Sequence, residues 1–106
     1  MLYELRVYEI LPGRMPAMLA RLERASEVFR QHGFDIAGVW TEVVDGNPRL
    51  IYINVYESLE AQQRQWEAFA QDPAWAAIEA DSEKDGPIVA GVTSTFMDPA
   101  YFSALK

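Results

Sequence analysis

Arg6, Tyr8, Trp40, Tyr52, Asn54 and Tyr56 are the residues of this chain whose types and spacing could do chemistry together. A guanidinium such as that of Arg6 grips a carboxylate or an enolate through paired N–H groups. The phenols of Tyr8, Tyr52 and Tyr56 are donors or weak acids, and Trp40 offers a flat wall. A buried amide without a partner is costly, so Asn54 either joins a network or reads a ligand. The set suits an apolar, acidic or enolisable small molecule. No cofactor-binding motif is present, so the chemistry expected is cofactor-independent proton transfer, isomerisation or oxygenation.

Each residue also has a plainer reading. Arg6 could pair with Glu4, Glu42 or an acid of a partner subunit, because a buried charge has to be paired. Tyrosines pack well at interfaces and satisfy their hydroxyls at the rim. His32 is the only histidine and would have to reach the cavity to act as a base. Its place in the last turn of a helix is explained by the helix dipole instead. One histidine and no cysteine leave no metal-ligand spacing, so no metal site is expected. The glycines form no phosphate-cradling loop, and no serine sits in a nucleophile-elbow setting.

The elements that must position these groups can be read in order. Residues 2–10 alternate as a strand. Pro12-Gly13 breaks it, and Pro16 stands where the first turn of a helix tolerates proline. Met15, Met18, Leu19, Leu22, Ala25 and Phe29 then form one apolar stripe, with Arg14, Arg21, Arg24 and Arg30 mostly off it. Gly33 stops that helix. Residues 34–44 and 50–56 read as two strands joined by the turn cluster Asp45-Gly46-Asn47-Pro48, a hairpin. Ser58 caps a helix carrying Leu59, Trp66 and Phe69. Asp72-Pro73 opens a second, short helix with Trp75 and Ile78 inward. Gly86-Pro87 ends it, residues 88–97 form a fourth strand, and a tail with Tyr101, Phe102 and Leu105 follows. That tail is expected to wrap a neighbouring subunit.

Strand, helix, strand, strand, helix pair, strand is the β-α-β-β-α-β order of a ferredoxin-like α+β sandwich: a four-stranded antiparallel sheet with helices on one face. Length and composition allow one domain over residues 1–106. Side chains alternate across a sheet. The helix-covered face is therefore expected to hold Leu5, Val7, Ile51, Ile53 and Val55. The open face is expected to hold Glu4, Arg6, Tyr8, Trp40, Tyr52, Asn54 and Tyr56. An aromatic patch of that kind is unusual on a monomer, so a partner should cover it.

The net charge is −7, and it is uneven: seven acids and six bases in residues 1–56, nine acids and three bases in residues 57–106. Such a chain repels phosphate backbones and anionic membranes. RNA-recognition domains share the topology and the aromatic strands, but the basic-glycine-aromatic signature is missing, so nucleic acid is excluded as a partner. The acids Asp81, Glu83 and Asp85 read as a solvated surface. No apolar run approaches the length of a membrane span. The first residues carry no leader pattern, and a cytoplasmic protein is expected.

Several segments carry a family resemblance: Tyr3-Glu4-Leu5-Arg6-Val7-Tyr8, Leu11-Pro12-Gly13-Arg14 and Gly38-Val39-Trp40-Thr41-Glu42, then Tyr56-Glu57-Ser58-Leu59-Glu60 and Asp72-Pro73-Ala74-Trp75. In their order and spacing the chain resembles the NIPSNAP family over most of residues 2–97. The resemblance implies a dimeric α+β barrel, in which two ferredoxin-like subunits pack their open sheet faces together. It also implies relatives among small monooxygenases, muconolactone-type isomerases and ethyl tert-butyl ether degradation proteins. The family pattern brings no agreed catalytic residues, so none is transferred.

Two functions follow. One is a small-molecule-binding protein or cofactor-independent enzyme, a homodimer or higher oligomer with its cavity on the open sheet face. There Arg6 would orient an anion, Trp40 and Tyr56 would form walls, and Tyr8, Tyr52 or Asn54 would handle polar groups. The other is a non-catalytic module whose aromatic face is consumed by homo-oligomerisation. Cavity content separates them.

Overall fold

The computed structural model describes residues 1–106. Its elements are β1 (Leu2–Ile10), α1 (Met15–Gln31), β2 (Asp35–Val44), β3 (Asn47–Tyr56), α2 (Leu59–Ala70), α3 (Pro73–Ser82) and β4 (Val89–Met97). The four strands form one antiparallel sheet in the order β2-β3-β1-β4. This is the ferredoxin-like arrangement expected from the sequence, with the second helix divided in two.

Local chemistry sets the boundaries. Asp45 and Gly46 both adopt positive φ, 52° and 79°, and Val44 pairs with Asn47 across them. A two-residue Asp-Gly loop of this kind matches the twist of the flanking strands. Ser58 accepts the N–H of Ala61 at 3.1 Å to start α2. Asp72 accepts the N–H of Ala74 at 2.8 Å to start α3, with Pro73 in its first turn. These caps satisfy helix N–H groups that would otherwise lack partners.

All three helices contribute to the layer on one face of the sheet. α1 buries Met18, Arg21, Leu22, Ala25, Val28 and Phe29. The stripe therefore includes Arg21, at helical spacing from Met18 and Ala25, while Leu19 turns out to solvent, 44% exposed. Phe29 stacks on Phe69 of α2 with centroids 4.1 Å apart, and Phe34, Trp66 and Trp75 complete an aromatic cluster. Arg14 ties α1 to the end of α3 by donating to the carbonyls of Ser82, Gly86 and Pro87.

For the residues of β1 and β3 the sheet faces are the reverse of the expectation, while Trp40 lies on the open face as expected. Tyr52, Asn54 and Tyr56 are buried under the helices, with Glu4 beside them. Arg6 and Tyr8 lie on the same face, since Glu4 pairs with Asn54, Arg6 with Tyr52 and Tyr8 with Leu50. Tyr3, Leu5, Val7, Ile51, Ile53 and Val55 point to the face without helices, joined by Trp40, which pairs with Ile51. Polarity misleads here for a physical reason. The polar face can go inside because its donors and acceptors satisfy one another, and the apolar face can stay outside only if something else covers it.

The open face has its own features. Trp40 lies across Gly38, where a Cβ would come within 2.7 Å of the indole. At one end Arg49 bridges Glu9 and Glu42 at 3.2 and 3.1 Å. The Cα radius of gyration is 14.4 Å, against about 13 Å for a compact chain of this length. The molecule is flattened, only 17 Å along its shortest axis. No helix is long and apolar enough to cross a membrane.

Candidate functional site

A cavity of about 220 Å³ lies between the sheet and the helices. Its floor is β1 and β3, which present Arg6, Tyr8 and Tyr52. Its walls are Met18, Leu22 and Phe29 of α1, Trp66 and Phe69 of α2, and Trp75 of α3. Arg21 and Glu79 also line it. Pockets for drug-sized ligands run to roughly 300–1,000 Å³, so this one suits something smaller. The lining is mainly apolar and aromatic, with a few convergent polar groups.

Behind the floor is a polar network built on Glu4. Its carboxylate, 1% exposed, accepts from Arg6 Nη1 at 3.1 Å, Ser94 Oγ at 2.5 Å and the Tyr56 hydroxyl at 2.6 Å. The indole N–H of Trp66 lies 3.4 Å from the same carboxylate and 2.9 Å from the Tyr56 oxygen. An ionised carboxylate only accepts and an indole N–H only donates. Tyr56 therefore gives its proton to Glu4 and accepts from Trp66 and from Asn54 Nδ2, the latter at 2.9 Å. Its hydroxyl is fully used, and Asn54 Oδ1 is left buried without a partner.

The charges follow the geometry. Burial alone would raise the Glu4 carboxyl. Hydrogen bonds from Ser94 and Tyr56, with the charge of Arg6, outweigh it and hold the group below the ordinary carboxylate value. Burial likewise opposes the Arg6 charge, but Tyr8, Tyr52 and Glu4 more than compensate, so its pKa rises. Tyr56 is pushed up by burial and then by Glu4. Tyr52 is pushed well up, first by burial and then by Tyr8. Tyr52 and Tyr56 are thus neutral phenols at physiological pH, able to donate.

Arg6 is the hinge between network and cavity. Its Cζ sits 4.4 Å from the centroid of the Trp66 ring, a cation–π contact. Nε donates to the Tyr8 hydroxyl at 3.0 Å and Nη1 to Glu4. Nη2 has no hydrogen-bond partner in the chain and is not sealed from open space. The Tyr8 and Tyr52 hydroxyls touch at 2.8 Å. A ligand oxygen at this corner would meet a guanidinium N–H and a phenol pair.

Of the six residues singled out in the sequence, Arg6, Tyr8 and Tyr52 line this cavity. Tyr56 and Asn54 lie in the network behind it. Trp40 is apart, on the other face, where it lines a second space of about 430 Å³ with Tyr3, Ile53, Met97 and Leu105. The plain reading of Arg6 as a partner of Glu4 holds as a contact, and yet one arm stays free. His32 is not on the cavity wall: its Nε2 meets Asp72 at 2.7 Å, linking the end of α1 to the cap of α3. Sequence reasoning placed Glu4 beside Arg6 as its partner, but missed Trp66 and Arg21 as members of the site. Only Arg21 had a readable signal, a charged residue at an apolar-stripe position.

The comparisons with known proteins come to the same fold. The NIPSNAP family model matches residues 3–104. No curated protein matches in sequence. A NIPSNAP family protein of unknown function from Agrobacterium tumefaciens is 24% identical over 100% of this chain and 94% of that one, with a TM-score of 0.86. An uncharacterised NIPSNAP domain protein from Burkholderia xenovorans is 26% identical over 97% and 98% of the two chains, with a TM-score of 0.83. A protein of Chloroflexus aurantiacus, named as an antibiotic biosynthesis monooxygenase, is 16% identical over 94% of both chains, with a TM-score of 0.59. The architecture is that of the dimeric α+β barrel proteins.

Proposed function

The chain belongs to the NIPSNAP family, and from that footing we propose that it binds a small, mainly apolar molecule in the cavity between sheet and helices. The ligand oxygen, a carbonyl, enol or enolate, lies on Arg6 Nη2 and the Tyr8–Tyr52 hydroxyl pair. The observation that carries this reading is the free guanidinium arm, held in place by Glu4 and Trp66, at the floor of an aromatic-lined cavity. Preorganised donors aimed at an oxygen stabilise charge that develops on it. The same arrangement would therefore support cofactor-independent isomerisation or oxygenation of an enolisable substrate. The distant likeness to a protein named as a monooxygenase agrees with that chemistry but rests on fold alone.

Glu4 is not the base in this scheme. Its oxygens are taken by donors and it holds Arg6 and Tyr56, which makes it a positioning residue. The opposite, apolar face is where a second copy packs, with Trp40, Ile51 and Ile53 at the joint and the tail reaching across it. A homodimer is thus part of the proposal. One observation favours a non-catalytic module instead: Arg6 already has its counter-charge, so the chain is satisfied without a ligand.

Native mass spectrometry of the purified protein tests both parts. A dimer with a stoichiometric adduct that is lost in Arg6→Gln supports binding at this corner. Failure of small aromatic and enolisable acids, amides and ketones to bind at millimolar concentration would leave the interaction module.

A further inference from the structure

The cavity has a second guanidinium, and its setting differs from that of Arg6. Arg21 is 9% exposed on α1. Its Nη1 meets Glu83 Oε1 at 3.0 Å and Ser82 Oγ at 3.4 Å, and its Cζ lies 5.6 Å from the centroid of the Trp75 ring. Nε and Nη2 have no partner in the chain, and neither is sealed from open space. Both arginines thus line one cavity, and each keeps N–H groups without a partner in the chain.

Their counter-charges decide what each arm can take. Glu4 is buried and bound by three further donors, so it cannot leave Arg6. Arg6 is electrically spoken for, and its free arm serves a neutral or weakly charged oxygen. Glu83 has a side chain 45% exposed, and an ion pair with a solvated partner contributes little, roughly 0–1 kcal/mol. It can return to water. Arg21, itself largely out of water, gains more from a carboxylate that comes to it inside the cavity. Glu79 on the same wall has no arginine or lysine partner, and its negative charge argues against a ligand with two acidic groups.

Resting on the cavity reading above, we infer that Arg21 sets the ligand class: a monocarboxylic acid whose charged end pairs with Arg21 and whose neutral carbonyl or hydroxyl oxygen goes to Arg6, Tyr8 and Tyr52. The ligand thereby enters with a fixed polarity. Glu83 acts as the placeholder for its carboxylate when the cavity is empty.

The test uses a matched pair of probes, 4-hydroxybenzoate and neutral 4-hydroxybenzamide, titrated against the full chain by calorimetry and by quenching of tryptophan fluorescence. The acid should bind about tenfold more tightly than the amide, the size of one charge-assisted contact. Arg21→Gln should remove that preference, the acid losing about tenfold more affinity than the amide. Glu83→Gln should strengthen the acid alone. Arg21→Lys, which keeps the charge, should retain most of the preference and guards against a folding defect in the glutamine variant. Equal binding of the two probes, or an equal loss of both in Arg21→Gln with Arg21→Lys also failing to discriminate, would overturn the role of Arg21 and leave the cavity reading intact. If neither probe binds the wild type, both ideas fail for this ligand class.

Discussion

Glu4 and Arg6, two residues apart on β1, meet at 3.1 Å beneath the helix layer. Same-side neighbours on a strand rarely carry opposite charges into a core, because desolvating both is expensive. Here the pair is tolerated because Glu4 collects further hydrogen bonds and Arg6 makes a cation–π contact with Trp66. The pair is therefore both a stabilising and a positioning device, and the two roles can be separated by substitution.

Glu4→Gln should be strongly destabilising, by about 3 kcal/mol, because it leaves a largely buried guanidinium without a counter-charge. Urea unfolding of the two proteins at neutral pH measures this. The pH dependence has a definite sign. A carboxyl whose folded pKa is depressed adds stability above its unfolded value and loses it as pH falls through the folded one. The unfolded reference is 4.5 and the folded value lies below it. Wild-type stability should therefore fall between about pH 5 and the lower folded value, and the fall should be smaller in Glu4→Gln. Parallel slopes in the two proteins over that range would contradict the assignment.

Removing hydroxyls from Tyr8 and Tyr56 should give opposite phenotypes. Tyr56→Phe strands Asn54 Nδ2, costs the Trp66 N–H its nearest acceptor and takes a donor from Glu4. Unsatisfied buried groups cost about 1–3 kcal/mol each, so a loss near 3 kcal/mol is expected. Tyr8→Phe frees Arg6 Nε and Tyr52 at the open corner of the cavity, so stability should change by about 1 kcal/mol while ligand affinity falls. Thermal melts set against probe titrations separate the two. The reading is lost if Tyr8→Phe unfolds the protein as readily as Tyr56→Phe.

The hairpin, the caps at Ser58 and Asp72, and the strand and helix order were legible in the sequence because each rests on local chemistry: Asp-Gly turn angles, a hydroxyl or carboxylate accepting an N–H, and spacing. The facing of the sheet was not. Alternation along β3 separates Tyr52, Asn54 and Tyr56 from Ile51, Ile53 and Val55, but which set is covered depends on Trp66, Ser94 and Glu4, which lie 10 to 90 residues away from their partners in sequence. Trp40 does lie on the open face as expected, but on the side opposite Tyr52, Asn54 and Tyr56 rather than with them. Its face is set by the shift in pairing between Ile36 and Gly38, an irregularity that alternation cannot register. The site residues were found by type, and their setting had to come from tertiary contacts.

Asp72 should matter beyond its cap. Its carboxyl is held below the ordinary value first by the hydrogen bond from His32 and then by the Ala74 N–H. It thus contributes stability above its unfolded pKa of 3.8 that is lost as pH falls through the lower folded value. Asp72→Ala removes both bonds at the start of α3, the helix that carries Trp75 to the cavity wall. Hydrogen exchange should report faster opening of residues 73–78 than elsewhere, together with weaker probe binding. Unchanged exchange there would show that packing alone holds α3.

The open face supplies the last prediction. Leu5 and Ile53 are directly paired at its centre, with Val7, Ile51 and Trp40 around them, and Trp40 is 51% exposed in the single chain. An apolar patch of this kind on a lone domain favours association, and a charge at the middle of such an interface is excluded from it. Light scattering should give the wild type a mass of twice 12.0 kDa. Ile53→Lys should give 12.0 kDa with its far-ultraviolet dichroism preserved, because Ile53 points away from the helices. The Glu4–Arg6–Tyr56 network on the other face should be untouched, so probe binding by the monomeric variant should survive. A wild type that stays monomeric at tens of micromolar would refute the open face as the joint. A monomeric variant that no longer binds would mean that the partner helps to shape the cavity.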